Sequence, residues 1–143
     1  MSRAEKAKEY FLQGYACSQA VALAFADIMG VSEEIISKIM LPFGGGMGRL
    51  RLTCGAVSGM AAVIGTVCAK SENSPENKKQ TYAITQELCA KFKQENGSLI
   101  CAELLAGMKA DENGEAHKKR SCAEIVALTA QIVEDYLTQE GKL

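Results

Sequence analysis

The chain has 143 residues, a net charge of −1 at pH 7 and 23% charged residues. Its 48% hydrophobic content is typical of a globular protein and excludes intrinsic disorder. A chain of this length is expected to form one domain, residues 1–143, with a core that needs no disulfides. The near-neutral charge gives no general reason to bind nucleic acid or an anionic membrane.

The sequence predicts a cytoplasmic protein without membrane insertion. Its N-terminal segment alternates charged and apolar residues and lacks the apolar core of a signal peptide. The longest uncharged stretch, from Thr53 to Ala69, is shorter than the roughly 18 residues of a membrane-spanning helix. Cytoplasmic cysteines seldom form structural disulfides and more often bind metal or perform redox chemistry. The six cysteines of this chain therefore call for a functional explanation.

Apolar residues recur with helical periodicity from the start of the chain. A first helix is predicted from Ala4 to Leu12, with Ser2 and Glu5 as its capping box. An apolar stripe then predicts a second helix over residues 20–28, which ends at Gly30.

A third helix is predicted to begin after Ser32 and to stop at Pro42. The glycine-rich segment Gly44–Gly48 is predicted to be a loop, because no regular element tolerates so many glycines. The fourth helix, from Cys54 to about Lys70, is apolar nearly all round and rich in small residues. It is therefore predicted to lie at the centre of the bundle, where small residues allow close backbone approach.

The remaining predicted helices are also defined by caps. The fifth starts at Ser74-Pro75 and runs to Gly97, and a short sixth spans Leu99 to Ala106. After a polar loop from Gly107, the seventh runs from Cys122 to about Gln139, with Ser121 and Glu124 as its capping box. No stretch alternates with a period of two, so the sequence predicts an all-α fold. We expect one bundle of six or seven helices around the fourth.

Four of the six cysteines occur where helices are predicted to begin: Cys17, Cys54, Cys101 and Cys122. Thr53, Ser98 and Ser121 are the cap candidates near the last three. Unpaired N–H groups and the helix dipole at such positions favour the thiolate. They can lower a thiol pKa to roughly 3.5–7.5. Cys68 and Cys89 fall late in helical runs and are expected only to pack.

Other chemical signals in the sequence are weak. The glycine cluster lacks the strand of a dinucleotide fingerprint and the Lys-Ser or Lys-Thr ending of a P-loop. It serves either as a tight connection or to bring backbone amides close to a thiolate or small anion. The run from His117 to Arg120 is expected to be a solvated loop, which disfavours a Cys–His hydrolase. Zinc is disfavoured because no cysteine pair has the usual short spacing.

The chain resembles the C_GCAxxG_C_C family of redox-active proteins. The resemblance is carried by YACSQAV at 15–21, FGGGMG at 43–48, CGAVSG at 54–59, NGSLICAELL at 96–105 and Cys122. It covers essentially the whole chain. Matched residue by residue, the family's four characteristic cysteines correspond to Cys17, Cys54, Cys101 and Cys122. The resemblance implies redox or metal chemistry and names no substrate.

The leading hypothesis is a cytoplasmic thiol–disulfide oxidoreductase or electron-transfer protein that uses these four cysteines without a cofactor. Its partner would be a protein or small molecule that it oxidises or reduces. Cys54 is expected to be the nucleophile, because the neighbouring glycines leave it the least crowded. A homodimer is compatible with a small helical protein, although the sequence shows no dedicated dimer seam.

Two alternatives stay open at this point. In the first, Cys17, Cys54, Cys101 and Cys122 bind a metal ion or an iron–sulfur cluster in an electron carrier. In the second, the protein is a non-catalytic helical scaffold whose cysteines only pack.

Overall fold

The computed structural model describes residues 1–107 and 120–143, and most of these residues are helical. In chain order the helices are α1 (Arg3–Leu12), α2 (Cys17–Leu23), α3 (Ala26–Met29), α4 (Glu33–Met40), α5 (Gly44–Met47), α6 (Gly55–Cys68), α7 (Pro75–Asn96), α8 (Cys101–Ala106) and α9 (Cys122–Gln139). A 3₁₀ turn, Leu41–Phe43, joins α4 to α5. The predicted all-α fold is confirmed. His117 and most of the predicted polar loop lie outside the described residues.

Helix caps set the boundaries of the longer helices. Both predicted capping boxes form, at the start of α1 and at the start of α9. The Ser32 side chain accepts a hydrogen bond from the Ile35 N–H at 3.2 Å, and the Ser74 side chain accepts one from Asn77 at 3.1 Å. Side-chain oxygens at these positions satisfy N–H groups that have no partner within the helix, so the helices begin where the sequence predicts.

The predicted second helix is divided into α2 and α3. The break falls at Phe25, which is fully buried and has a non-helical backbone conformation. The Arg3 guanidinium lies over the Phe25 ring and donates a hydrogen bond to the Ala24 carbonyl at 2.8 Å. The carbonyl at the end of α2 is therefore hydrogen-bonded by a residue 21 positions earlier in the chain. The local apolar periodicity of the sequence does not reveal such a contact.

Helix α6 lies at the centre, in contact with α2, α3, α5, α7 and α9. Its approach to α2 depends on two glycines. A Cβ atom at Gly59 would lie 2.6 Å from the Ser18 carbonyl oxygen, and one at Gly55 would lie 3.2 Å from the Ser18 nitrogen. The first turn of α2 is therefore pressed against the first turns of α6, which brings Cys17 towards Cys54.

One short antiparallel bridge interrupts the helical pattern of the described residues, between Thr53 and Ile100. It ties the segment before α6 to the segment before α8. Among the described residues, no helix combines the length and the apolar character needed to cross a membrane.

Candidate functional site

The four cysteines at predicted helix starts line one cavity of about 110 Å³. Cys54 is the N-cap of α6, and Cys17, Cys101 and Cys122 are the first residues of α2, α8 and α9. The other lining residues are Gly45, Gly46, Arg51, Gly55, Leu104, Leu105, Arg120, Ser121 and Ile125. The fold thus brings together four thiols that are distant in the sequence.

Cys17 and Cys122, which we call the outer pair, are half-buried and in direct contact. A hydrogen bond between the two side chains, together with burial and the nearby Cys122 and Cys54 sulfurs, raises the pKa of Cys17. A thiol that donates to a neighbouring sulfur gives up its own proton less readily. The hydrogen bond and burial therefore favour the protonated form of Cys17.

The local structure around Cys122 favours a negative charge on its sulfur. Helix α9 has 18 residues, and Cys122 follows its N-cap, Ser121, directly. The Ser121 hydroxyl accepts a hydrogen bond from the Glu124 N–H at 3.2 Å. Cys122 consequently lies at the positive end of a long, well-capped helix, where anions are stabilised.

Cys54 and Cys101, which we call the inner pair, are only 7% and 8% exposed. The bridge around Thr53 and Ile100 fixes both of them. The Cys54 N–H donates to the Leu99 carbonyl at 2.8 Å, and the Cys101 N–H donates to the Leu52 carbonyl at 2.6 Å. This register makes the two cysteines diagonal neighbours on one face of the bridge.

Burial raises the pKa of the Cys54 thiol to about 11, although hydrogen bonds from the Ala56 and Val57 N–H groups act in the opposite direction. The prediction that Cys54 is the least crowded cysteine is therefore wrong. The flanking glycines do not open space around it. They let Cys101, Ser18 and neighbouring backbone fill that space instead.

Two of the predicted caps act differently from the expectation. Thr53 lies in the bridge, and Cys54 itself occupies the N-cap position without a side-chain hydrogen bond. The Ser98 hydroxyl accepts from the Ile100 N–H at 2.9 Å and donates to the Glu103 carboxylate at 2.8 Å. Ser98 therefore braces the turn before α8, whose N-cap is Ile100.

Two arginines of the cavity were missed by sequence reasoning. The Arg51 guanidinium donates to the Cys101 sulfur at 3.7 Å. Arg120, expected in a solvated basic run, instead lines the cavity and donates to the Asn96 side chain at 2.9 Å and to the Glu95 carbonyl. Arg120 directly precedes the Ser121 cap, and this position is the one sequence feature that could have predicted its place near the site. No sequence feature indicated that Arg51 lies in the cavity.

The glycine segment, predicted as a loop, contains the short helix α5, but two of its four residues have a non-helical backbone. The segment forms a wall of the cavity as well as a tight connection. Gly45 and Gly46 have φ angles of 65° and 69°, in the left-handed region that glycine adopts readily. A Cβ atom at Gly46 would lie 2.7 Å from the Cys101 Cβ atom and 2.8 Å from the Leu52 nitrogen. The absence of a side chain at Gly46 thus lets Cys101 reach the cavity.

Cys68 and Cys89 lie away from this cavity, and burial raises the pKa of each thiol. Both are half-buried, in keeping with the packing role predicted for them. Within residues 1–107 and 120–143, no group of three or more His, Cys, Asp or Glu side chains is arranged to hold a metal ion. The metal-binding alternative stays a prediction.

A family model described as "Putative redox-active protein (C_GCAxxG_C_C)" matches residues 15–136. The chain belongs to the C_GCAxxG_C_C family. The matched region contains all four cavity cysteines and the two glycines that bring α2 against α6. No curated protein and no solved structure matches the chain. Membership in the C_GCAxxG_C_C family supports redox activity and specifies neither substrate nor cofactor.

Proposed function

We propose that this C_GCAxxG_C_C protein is a cytoplasmic thiol–disulfide oxidoreductase whose redox-active dithiol is the outer pair. The observation that carries the proposal is the contact between the Cys17 and Cys122 side chains at the wall of the cavity. Two thiols that share a hydrogen bond need little movement to become covalently joined. Their partial exposure also leaves them within reach of an external disulfide.

Disulfide geometry favours the outer pair over the inner pair. A disulfide requires Cβ atoms roughly 3.5–4.5 Å apart. Diagonal neighbours across an antiparallel bridge, such as Cys54 and Cys101, are typically about 7–8 Å apart, and their Cβ atoms are somewhat closer than that. Joining the inner pair would therefore require the bridge between Thr53 and Ile100 to distort.

The environment of the two outer cysteines supports one order of reaction. Cys122 is the attacking thiolate, because it lies at the N-terminus of α9, whereas burial and the hydrogen bond between the two side chains raise the pKa of Cys17. Its sulfur attacks one sulfur of an external disulfide RS–SR, which forms a Cys122–SR mixed disulfide and releases RS⁻. The released RS⁻ is protonated to RSH.

Cys17 then acts as the resolving thiol. Once the Cys122 sulfur is covalently bound, it carries no negative charge and no longer opposes ionisation of Cys17, which can then lose its proton to solvent. The Cys17 thiolate attacks the Cys122 sulfur, forms the Cys17–Cys122 disulfide and releases the second RS⁻. Two protein thiols are oxidised, and one external disulfide is reduced to two RSH molecules.

The test measures thiol release when the reduced protein reacts with an uncharged disulfide, bis(hydroxyethyl) disulfide. The wild type should release two equivalents of mercaptoethanol per outer pair. Cys17→Ser should release one equivalent and retain a stable mixed disulfide on Cys122, whereas Cys122→Ser should lose the fast reaction. Cys89→Ser is the matched control and should behave as the wild type, because Cys89 lies outside the cavity.

Anaerobic purification separates this proposal from the iron–sulfur alternative. The proposal predicts a colourless protein that reacts with the disulfide without added metal. A brown protein with bound iron and sulfide, whose thiols react only after the cluster is removed, would contradict it. A metal-free protein whose thiols do not react with the disulfide would also contradict the proposal, and would favour the alternative of a non-catalytic scaffold.

A further inference from the structure

A second, larger cavity lies against the same cysteine site. It forms a cleft of about 620 Å³ between the end of α1, the start of α2 and the segment 44–51. Cys17, Gly45 and Arg51 line both the cleft and the cysteine cavity. The two spaces are therefore adjacent, with Cys17 and Arg51 at their shared boundary. The cleft has the volume of a small-molecule binding site.

The charged side chains that line the cleft are both positive. They are Arg49 and Arg51, and no Asp or Glu is among the described residues around it. Arg49 has no ion-pair or hydrogen-bond partner for its side chain within the described residues. The polar Gln19 is already occupied, since its amide accepts from the Ala16 N–H and donates to the Ser37 carbonyl. The cleft thus offers two cations to whatever enters it.

The backbone holds these arginines in an unusual conformation. Arg49 and Arg51 have φ angles of 66° and 63°, in the left-handed region that favours glycine. Their N–H groups donate to the Gly44 and Gly45 carbonyls at 3.3 and 3.2 Å. A Cβ atom at Gly45 would lie 2.7 Å from the Arg49 Cγ atom, so the arginine occupies the space that this glycine leaves. Strained backbone of this kind is concentrated at ligand sites.

We propose that the cleft binds one anionic end of a low-molecular-weight disulfide, whose carboxylate pairs with Arg49 and Arg51. This inference rests on the proposed function and names its substrate class. Arginine binds carboxylates through charge-assisted, often bidentate hydrogen bonds. With the carboxylate of one end in the cleft, the substrate extends its disulfide past Cys17 and Arg51 towards the Cys122 sulfur. The exchange is the one described above, in which one disulfide becomes two thiols and the outer pair becomes a disulfide.

The test uses three disulfides of similar length and different charge: dithiodipropionate, bis(hydroxyethyl) disulfide and cystamine. Second-order rate constants for thiol release are measured at low ionic strength, where charge effects are least screened. The double variant Arg49→Gln/Arg51→Gln should slow the reaction with the anionic dithiodipropionate about tenfold or more. It should slow the neutral disulfide much less than the anionic one, and it should raise the rate with cationic cystamine.

Two control variants separate charge recognition from structural damage. Arg49→Lys/Arg51→Lys keeps both charges and should recover much of the rate with the anionic disulfide. Lys78→Gln removes one positive charge outside both cavities and should change none of the three rates. An equal loss of rate with all three disulfides in the Gln variant would overturn the inference.

The failure of this inference is distinguishable from the failure of the proposed function. If the wild type reacts with the neutral disulfide but the arginine variants show no charge-dependent change, thiol exchange stands and anion recognition is wrong. If no disulfide of the series oxidises the outer pair, the proposed function itself fails, and this inference fails with it.

Discussion

The outer and inner pairs occupy one cavity and similar positions at helix starts, yet their environments differ. Cys17 and Cys122 are half-buried and hydrogen-bonded to each other, whereas Cys54 and Cys101 are almost completely buried and fixed diagonally by a β-bridge. The N–H groups at the start of α6 act on Cys54, but burial outweighs them. A helix N-terminus therefore favours a reactive thiol only where the sulfur keeps some contact with solvent or a suitable partner.

The largest expected difference between the pairs is in alkylation by iodoacetamide. With a pKa of about 11, Cys54 should be about one part in a thousand thiolate at pH 8. We expect Cys122 to react at least about a hundredfold faster, because thiolates are the reactive species. Quantitative peptide mass spectrometry measures both rates in one sample.

The pH dependence sharpens this prediction. Raising the pH deprotonates Cys54, so its alkylation rate should rise until the pH passes about 11. Cys68, half-buried and outside the cavity, provides an internal reference for general loosening of the fold. Equal rates for Cys54 and Cys122 at pH 8 would remove the distinction between inner and outer cysteines.

A second difference should appear in the glycines of α6. Gly59→Ala places a Cβ atom 2.6 Å from the Ser18 carbonyl oxygen and should force α2 away from α6. We expect a loss of about 2–3 kcal/mol in the free energy of unfolding, as for other overpacked sites. The displacement of α2 should also slow oxidation of the outer pair, since Cys17 directly precedes Ser18. Denaturant titration and thiol release measure the two effects.

Gly65→Ala is the matched control in the same helix. Nothing lies within 4 Å of a Cβ atom at Gly65, which is exposed. Alanine there should stabilise the protein by about 0.5–1 kcal/mol, because it restricts the unfolded chain and favours helix. Equal destabilisation by both substitutions would show that close packing of α2 on Gly59 is not the cause.

A third comparison concerns the helix caps. Ser121→Ala and Ser32→Ala each remove a side-chain cap and should each cost about 1 kcal/mol of stability. Only Ser121→Ala should also slow alkylation of Cys122, because Ser121 caps the helix that begins with that cysteine. Calorimetry measures the loss of stability in both variants, and alkylation kinetics measure the change in Cys122 reactivity that is expected only in Ser121→Ala. An equal fall in the alkylation rate of Cys122 in Ser32→Ala would contradict the prediction that the Ser121 cap acts locally on Cys122.

The parts of the fold that sequence predicted are those fixed by neighbouring residues. The capping boxes at Ser2 and Ser121 involve residues three positions apart, and both form as expected. The convergence of the four cysteines was expected from their shared helix-start positions and their family resemblance, and all four line one cavity.

The parts that sequence missed depend on contacts between distant residues. The burial of Cys54 follows from the bridge between Thr53 and Ile100 and from the way the glycines admit neighbouring atoms. The positions of Arg51 and Arg120 likewise depend on partners about 50 and 24 residues away, Cys101 and Asn96. Periodicity and capping rules describe single helices, so they carry no information about these contacts.

The most direct test of the central claim is disulfide mapping after stoichiometric oxidation of the reduced protein. One equivalent of bis(hydroxyethyl) disulfide is added, remaining thiols are blocked at low pH, and the cross-linked peptides are identified by mass spectrometry. The account predicts a Cys17–Cys122 disulfide, with Cys54 and Cys101 recovered as thiols. A Cys54–Cys101 disulfide as the main product, with Cys17 and Cys122 still reduced, would contradict it.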